Sequence, residues 1–202
     1  MTAWYKLTVC DYSMCQEYLE GHAMIRSSHL AAPLLVAAII IAGAAAAPND
    51  DTVADSCNAI RSSVNFDFCV ARLRDVPGAS STDRRGHLLM AADLAATAGS
   101  TARYAAIVLL RGESDPAARD GLEACDYLYV AASLPALQFM RGYAEAGSWA
   151  AAKSLLMLTA QGGIGCEAAL AGAPPVATKM TGVNGEFDKL NALATALLYA
   201  VS

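Results

Sequence analysis

The 202-residue chain predicts an all-α protein, an up-down-up-down four-helix bundle with an N-terminal two-helix hairpin extension. Three observations lead there. Nearly every segment after Asp51 repeats its apolar residues at helical spacing. Runs of alternating Val, Ile, Thr and aromatic residues, the mark of strands, are missing. Four of the helical segments are long, carry apolar stripes and are joined by short connections, so packing stripe against stripe is the simplest way to bury them.

In chain order, Asp51 to Arg61 and Asn65 to Arg74 read as two short amphipathic turns, the hairpin arm. V-P-G-A-S-S-T-D, residues 76–83, is a loop by its Pro, Gly and Ser content. A first long helix follows from about Asp83 to Arg111, striped by Leu88, Leu89, Ala92, Leu94, Ala95, Ala105, Val108 and Leu109, with Gly99 expected to loosen it. The second opens on Asp115-Pro116, an N-cap followed by proline at the first helical position, and runs to about Glu145. Pro135 falls inside it and should cost one backbone bond and kink the axis. The third runs from Ser148 toward Leu170, and G-A-P-P-V-A-T, residues 172–178, reads as the break after it. A last helix is expected from about Gly185 to Val201, with Phe187, Leu190, Leu193, Ala194, Leu197 and Leu198 inward.

The compartment follows from the first 46 residues. From Met24 the chain has a basic residue, Arg26, an apolar run from Leu30 to Ile41, and small residues suited to cleavage after Ala46. This is the pattern of a secretory signal peptide. It is too short, and too interrupted by Pro33, for a spanning helix, which needs about 20 apolar residues. Residues 1–46 are therefore a leader whose start is expected at Met24, and 47–202 form one domain with no membrane attachment after cleavage. The whole chain has 14 basic and 19 acidic side chains; without Lys6, Arg26, Asp11, Glu17 and Glu20 the domain keeps 12 and 16, a net charge of −4. Such a balance argues against nucleic acid as a partner and suits a basic protein.

No constellation for chemistry stands out. Zinc needs paired ligands at short spacing, whereas the cysteines of residues 47–202 lie at 57, 69, 125 and 166 and His87 is the sole histidine of that domain. A cysteine nucleophile needs a base beside it, and His87, among Arg84 and Arg85, reads as a surface residue near a helix start. The acid pairs Asp115 with Asp120 and Glu123 with Asp126 read as solvated helix faces. Gly162, Gly163 and Gly165 follow a helix and lack the lysine of a phosphate loop. No metal, no cofactor and no catalytic residue is assigned, and the chain is not read as an enzyme. In a secreted domain the four cysteines are disulfide partners, in any of three pairings. Pairing in chain order would close the arm and tie the second long helix to the third.

V-N-F-D-F-C-V-A-R-L, residues 64–73, D-P-A-A-R-D-G-L-E-A-C-D-Y-L-Y, residues 115–129, Trp149, Cys166 and the terminal A-L-L-Y-A-V together resemble the plant invertase and pectin methylesterase inhibitor family. The likeness spans Asp51 to Ser202, and the order of the four cysteines is its most specific part. The resemblance implies a secreted bundle with disulfides joining first to second and third to fourth cysteine, and binding to a carbohydrate-active enzyme without chemistry of its own. Invertase inhibitors of that family carry Pro-Lys-Phe just before the third cysteine's helix. This chain has Pro116, Ala117 and Ala118, losing the cation and the ring that would fill a sugar pocket. Met157 to Gly163 also departs from the small and polar stretch the family places before its fourth cysteine.

The reading is a secreted, cell-wall (apoplastic) inhibitor that occludes the active-site cleft of a pectin methylesterase through its second and third helices, with cell-wall or vacuolar invertase as the alternative target. Pro116, Arg119, Asp120, Lys153 and Gln161 are the expected contact residues; Pro116 is equally accounted for as a helix-start proline. The rival from another class is a helical storage or scaffold protein with no enzyme target.

Overall fold

A computed structural model describes residues 51–202; the expected leader and its cleavage after Ala46 lie outside the described residues. All regular structure in this range is helical. Among the described residues no helix is long and apolar enough to cross a membrane.

The arm consists of α1 (Thr52–Ala59) and α2 (Phe66–Arg74). Each is started by a side chain suited to it: Asp51 accepts from the Ala54 amide at 3.1 Å and Asn65 from the Phe68 amide at 2.9 Å. The arm is no detached extension. Val53, Cys57, Ile60, Cys69 and Leu73 are buried in the same core as the long helices, and Arg72 pairs with Glu186 of the last one. A 3₁₀ turn, Ala79–Ser81, leads into α3 (Arg84–Gly112), capped by Asp83 at 2.8 Å from the Gly86 amide.

His87 corrects the surface assignment made from its basic neighbours: it is fully buried. Its Nε2 lies 2.8 Å from the Ala79 carbonyl oxygen and its Nδ1 2.8 Å from Ser56 Oγ. Since a carbonyl only accepts, Nε2 carries the proton and Nδ1 accepts from the serine hydroxyl. Nor does Gly99 loosen α3, which is continuous through it. A Cβ there would stand 3.1 Å from both Leu134 and Phe187, so the missing side chain lets neighbours approach.

The second rod is α4 (Pro116–Leu128), a π-helical segment (Tyr129–Ser133) and α5 (Leu134–Glu145). Asp115 caps it by accepting from the Ala118 amide at 2.8 Å, as the Asp-Pro pair predicts. Pro135 acts through the π segment: it sits in the first turn of α5, and the wider turn before it absorbs the missing donor. Gly147, at φ +72°, ends the rod, with the Ser148 amide donating to the Tyr143 carbonyl at 2.8 Å.

The third rod is broken into α6 (Trp149–Ser154), α7 (Leu156–Thr159) and α8 (Gln161–Ala169). The last helix, α9 (Pro174–Val201), begins eleven residues before the Gly185 start expected for it. Pro174 and Pro175 fill its first turn, where a missing N–H costs nothing, so the apparent breaker is a starter.

Cross-contacts give the directions of the rods. Arg141 reaches Asp93 at 2.7 Å and Arg103 reaches Asp126 at 2.6 Å, so α3 and the second rod run oppositely. Cys125 bonds Cys166 while Ser133 Oγ lies 3.2 Å from the Leu158 carbonyl, the same relation between second and third rods. Asn184 meets Cys166 and Lys153 meets Tyr199, which sets α9 against the third rod. The longest helices, α3 and α9, make the most extensive pairing and form the spine of the core.

Candidate functional site

The four cysteines are joined as Cys57–Cys69 and Cys125–Cys166, all fully buried. This is the chain-order pairing that the resemblance implied. The first closes the arm. The second fixes the second rod to the third, where the candidate surface lies.

That inter-rod junction is built around Tyr129. Its ring meets Phe187 edge to face, with centroids 5.1 Å apart and planes at 81°. Its hydroxyl donates to Asn184 Oδ1 at 3.0 Å, and Asn184 Nδ2 points to Cys166 Sγ at 3.3 Å. Burial first, then Asp188 and Glu167, push the phenol's pKa up, so it remains a donor. Ser133 Oγ accepts from the Gly162 amide at 2.6 Å. A Cβ on Gly162 would stand 2.5 Å from the Tyr129 ring, and one on Gly163 would overlap the Asp188 carboxylate. The glycine run that departs from the family pattern thus lets α8 lie close against both the second rod and α9.

Pro116 is exposed at the first position of α4. Arg119 is half-buried and turned back, donating to the Leu110 and Glu113 carbonyls at 3.3 and 3.1 Å, where its cation also suits the C-terminal end of α3. Asp120 is exposed. Lys153 holds its ammonium 5.2 Å from the centre of the Tyr199 ring. Gln161 opens α8 and donates to the Met157 carbonyl at 3.1 Å. The structure does not gather these five into one cluster. Gln161 lies beside the π segment, next to Ser133's partner Gly162, and Pro116 is more than a dozen residues away along the second rod, ~20 Å at the helical rise.

What the residue-by-residue reading missed is apolar. Of the eleven large hydrophobic side chains exposed among the described residues, seven lie on the second and third rods: Tyr127, Val130, Phe139, Tyr143, Met157, Leu158 and Ile164. Tyr127 (69% exposed) and Val130 are one turn apart, and Ile164 (63%) stands at Tyr127's level across the junction set by Cys125–Cys166. The signal was present in the sequence as apolar residues off the core stripe, but only the packing shows which stripe is the core.

No family model matches the chain. Solved structures share this helical fold. The chain aligns with the crystal structure of a pectin methylesterase inhibitor from Arabidopsis thaliana, at 12% identity over 72% of this chain and 94% of that one, with a TM-score of 0.54. A mutant form of a pectin methylesterase inhibitor from Arabidopsis aligns at 12% identity over 72% and 96%, with a TM-score of 0.63. In sequence, a protein of Platanus orientalis bearing the name "Putative invertase inhibitor" is 25% identical over 150 residues, 73% of this chain and 88% of that protein. The sequence relative is named as an invertase inhibitor and the fold neighbours as pectin methylesterase inhibitors, and at 12% identity the latter show a shared helical fold.

Proposed function

We infer that the protein is a secreted inhibitor that lays the exposed face of its second and third rods over the active-site cleft of a pectin methylesterase. Residues 1–46 are the leader, with its signal peptide starting at Met24, and 47–202 act in the extracellular wall space. The observation that carries this reading is the concentration of exposed apolar side chains on those two rods, held in fixed register by the Cys125–Cys166 bond. Monomeric surfaces rarely leave so many large apolar groups on one pair of elements without a partner. Occlusion then needs a standard interface of about 1,600 Å², which two rods of this length can supply.

The choice of target rests on the start of α4. Ala117 is exposed and offers only a methyl group, and Ala118 is turned into the core, where an invertase-directed surface would offer a cation and a ring. Invertase is the second reading, favoured by the name of the Platanus orientalis relative. Pro116, Asp120, Lys153 and Gln161 are proposed as rim contacts, and Arg119 as a contact already tied to α3.

Titrating the oxidised protein against a purified pectin methylesterase and an acid invertase tests both readings. Stoichiometric loss of esterase activity with invertase untouched is the expected result; the reverse selects invertase, and no loss of either ends the inhibitor reading.

A further inference from the structure

Between α8, α9 and the α1–α2 loop lies a groove of about 560 Å³ that shares Ile164 with the face of the second and third rods and otherwise lies beyond it. One stripe of α9 forms its floor, since Asp188, Asn191, Thr195 and Tyr199 recur at helical three- and four-residue spacing. Ser63 closes one wall and Ile164 the other.

The groove's polar groups are short of donors. Asn191 is only 7% exposed, and its Oδ1 is buried with no hydrogen-bond partner. Leaving such an acceptor unpaired is costly, and native structures rarely do so without a reason. Asp188, one turn earlier, presses its carboxylate against Gly163. Among the described residues it takes part in no ion pair, nor does Glu167, which faces it from α8. Burial first and Glu167 second hold the Asp188 carboxyl at about 6, above the ordinary carboxylate range. The other titratable groups around it are Tyr129 from the second rod, Tyr199 and Lys189 on α9 and Lys153 from α6. Lys153 is engaged with the Tyr199 ring and Lys189 borders the neighbouring hollow.

We propose that this groove receives a guanidinium group from a basic segment of the partner protein, bridged between the Asp188 carboxylate and Asn191 Oδ1. A planar fork with five donors can meet two acceptors one helical turn apart, which a point-like ammonium does less well. Turning the Asn191 amide about its soft terminal torsion presents the oxygen. The alanines of the floor, Ala192 and Ala196, leave room for the aliphatic stem of the arginine. A cation also relieves the repulsion between Asp188 and Glu167, a gain that a neutral sugar hydroxyl cannot match. The net charge of −4 draws a basic partner to the surface. That the partner is an enzyme rests on the inhibitor reading; the groove's preference does not.

The test is an NMR titration of the isotope-labelled, oxidised protein with Nα-acetyl-arginine amide, its neutral citrulline counterpart and galactose. The arginine probe is expected to shift the amides of Ser63, Ile164, Asp188 and Thr195 together. At pH 7 it should bind at least tenfold more tightly than the citrulline probe, with affinity falling at pH 5. Asp188→Asn, which keeps the shape, should abolish the preference. Equal binding of citrulline or galactose, retention of the arginine preference in Asp188→Asn, or no localised shift would overturn the proposal. The enzyme titration is independent of it: inhibition with an arginine-blind groove sinks only this inference, and an arginine-selective groove without inhibition upholds it while ending the inhibitor reading.

Discussion

His87 is fully buried, so both of its ring nitrogens need partners from within the protein, and they find them in Ser56 and the Ala79 carbonyl. One side chain of α3 thereby holds the arm and the turn before α3 together. His87→Ala would leave the buried Ser56 hydroxyl unpaired, take one donor from the Ala79 carbonyl and open a cavity, a loss of about 3 kcal/mol. Urea denaturation checks this, and an unchanged midpoint would show that water replaces the ring. At Gly162 the constraint is steric. A methyl group 2.5 Å from the Tyr129 ring has to displace it, so Gly162→Ala should cost ~2 kcal/mol and disturb the Tyr129–Asn184 bond. Asp188 has the opposite sign from most paired carboxylates. Its folded value, about 6, lies above the unfolded 3.8, so the native state holds the proton more tightly. Stability is greatest below about pH 4 for this group and falls as pH rises through 6. The displacement corresponds to about 3 kcal/mol at most, and solvent screening in the open groove brings it to ~1 kcal/mol. Asp188→Asn should remove this slope between pH 4 and 7 in thermal melts, and a slope left intact would place its origin elsewhere.

At the scale of elements, local chemistry was legible and long-range packing was not. Asp115-Pro116 and Asp51 mark helix starts through bonds to amides three residues away, so the sequence alone carries them. The burial of His87 depends on Ser56, thirty-one residues distant, and basic neighbours pointed the wrong way. Pro174 and Pro175 signal a boundary, but whether they end one helix or begin another depends on what α9 packs against. The glycines of α8 read as a departure from pattern until the Tyr129 ring and Asp188 carboxylate are seen against them. The disulfides also act at this scale. Their loops, with sequence separations of 12 and 41, give chain-entropy contributions of ~3 and ~4 kcal/mol. Replacing Cys125 and Cys166 by serine should therefore cost more than replacing Cys57 and Cys69. Comparing the two double variants in guanidinium checks the order, and equal losses would mean that native packing at the Tyr129 junction outweighs loop length.

Two rigid rods present seven large exposed apolar side chains, and their relative position is fixed by a covalent bond, a buried aromatic pair and a serine between backbones. Rigidity matters for occlusion, because a surface already in its bound shape loses little freedom on docking. If the face of the second and third rods is the docking surface, its exposed apolar side chains should be the energetic anchors. Tyr127→Asp and Ile164→Asp place charges on either side of the junction at positions 69% and 63% exposed, so folding should be little affected. Each should weaken inhibition at least tenfold, since an aromatic or aliphatic anchor lost at an interface centre typically costs 2 kcal/mol or more, roughly. Tyr104→Asp, on α3 and 64% exposed, is the matched control and should leave inhibition within twofold. Equal effects at all three positions would point to net charge, and a Tyr104 effect alone would move the docking surface to α3. The measurement is an inhibition constant for each oxidised variant, alongside a melting curve showing that the bundle is intact.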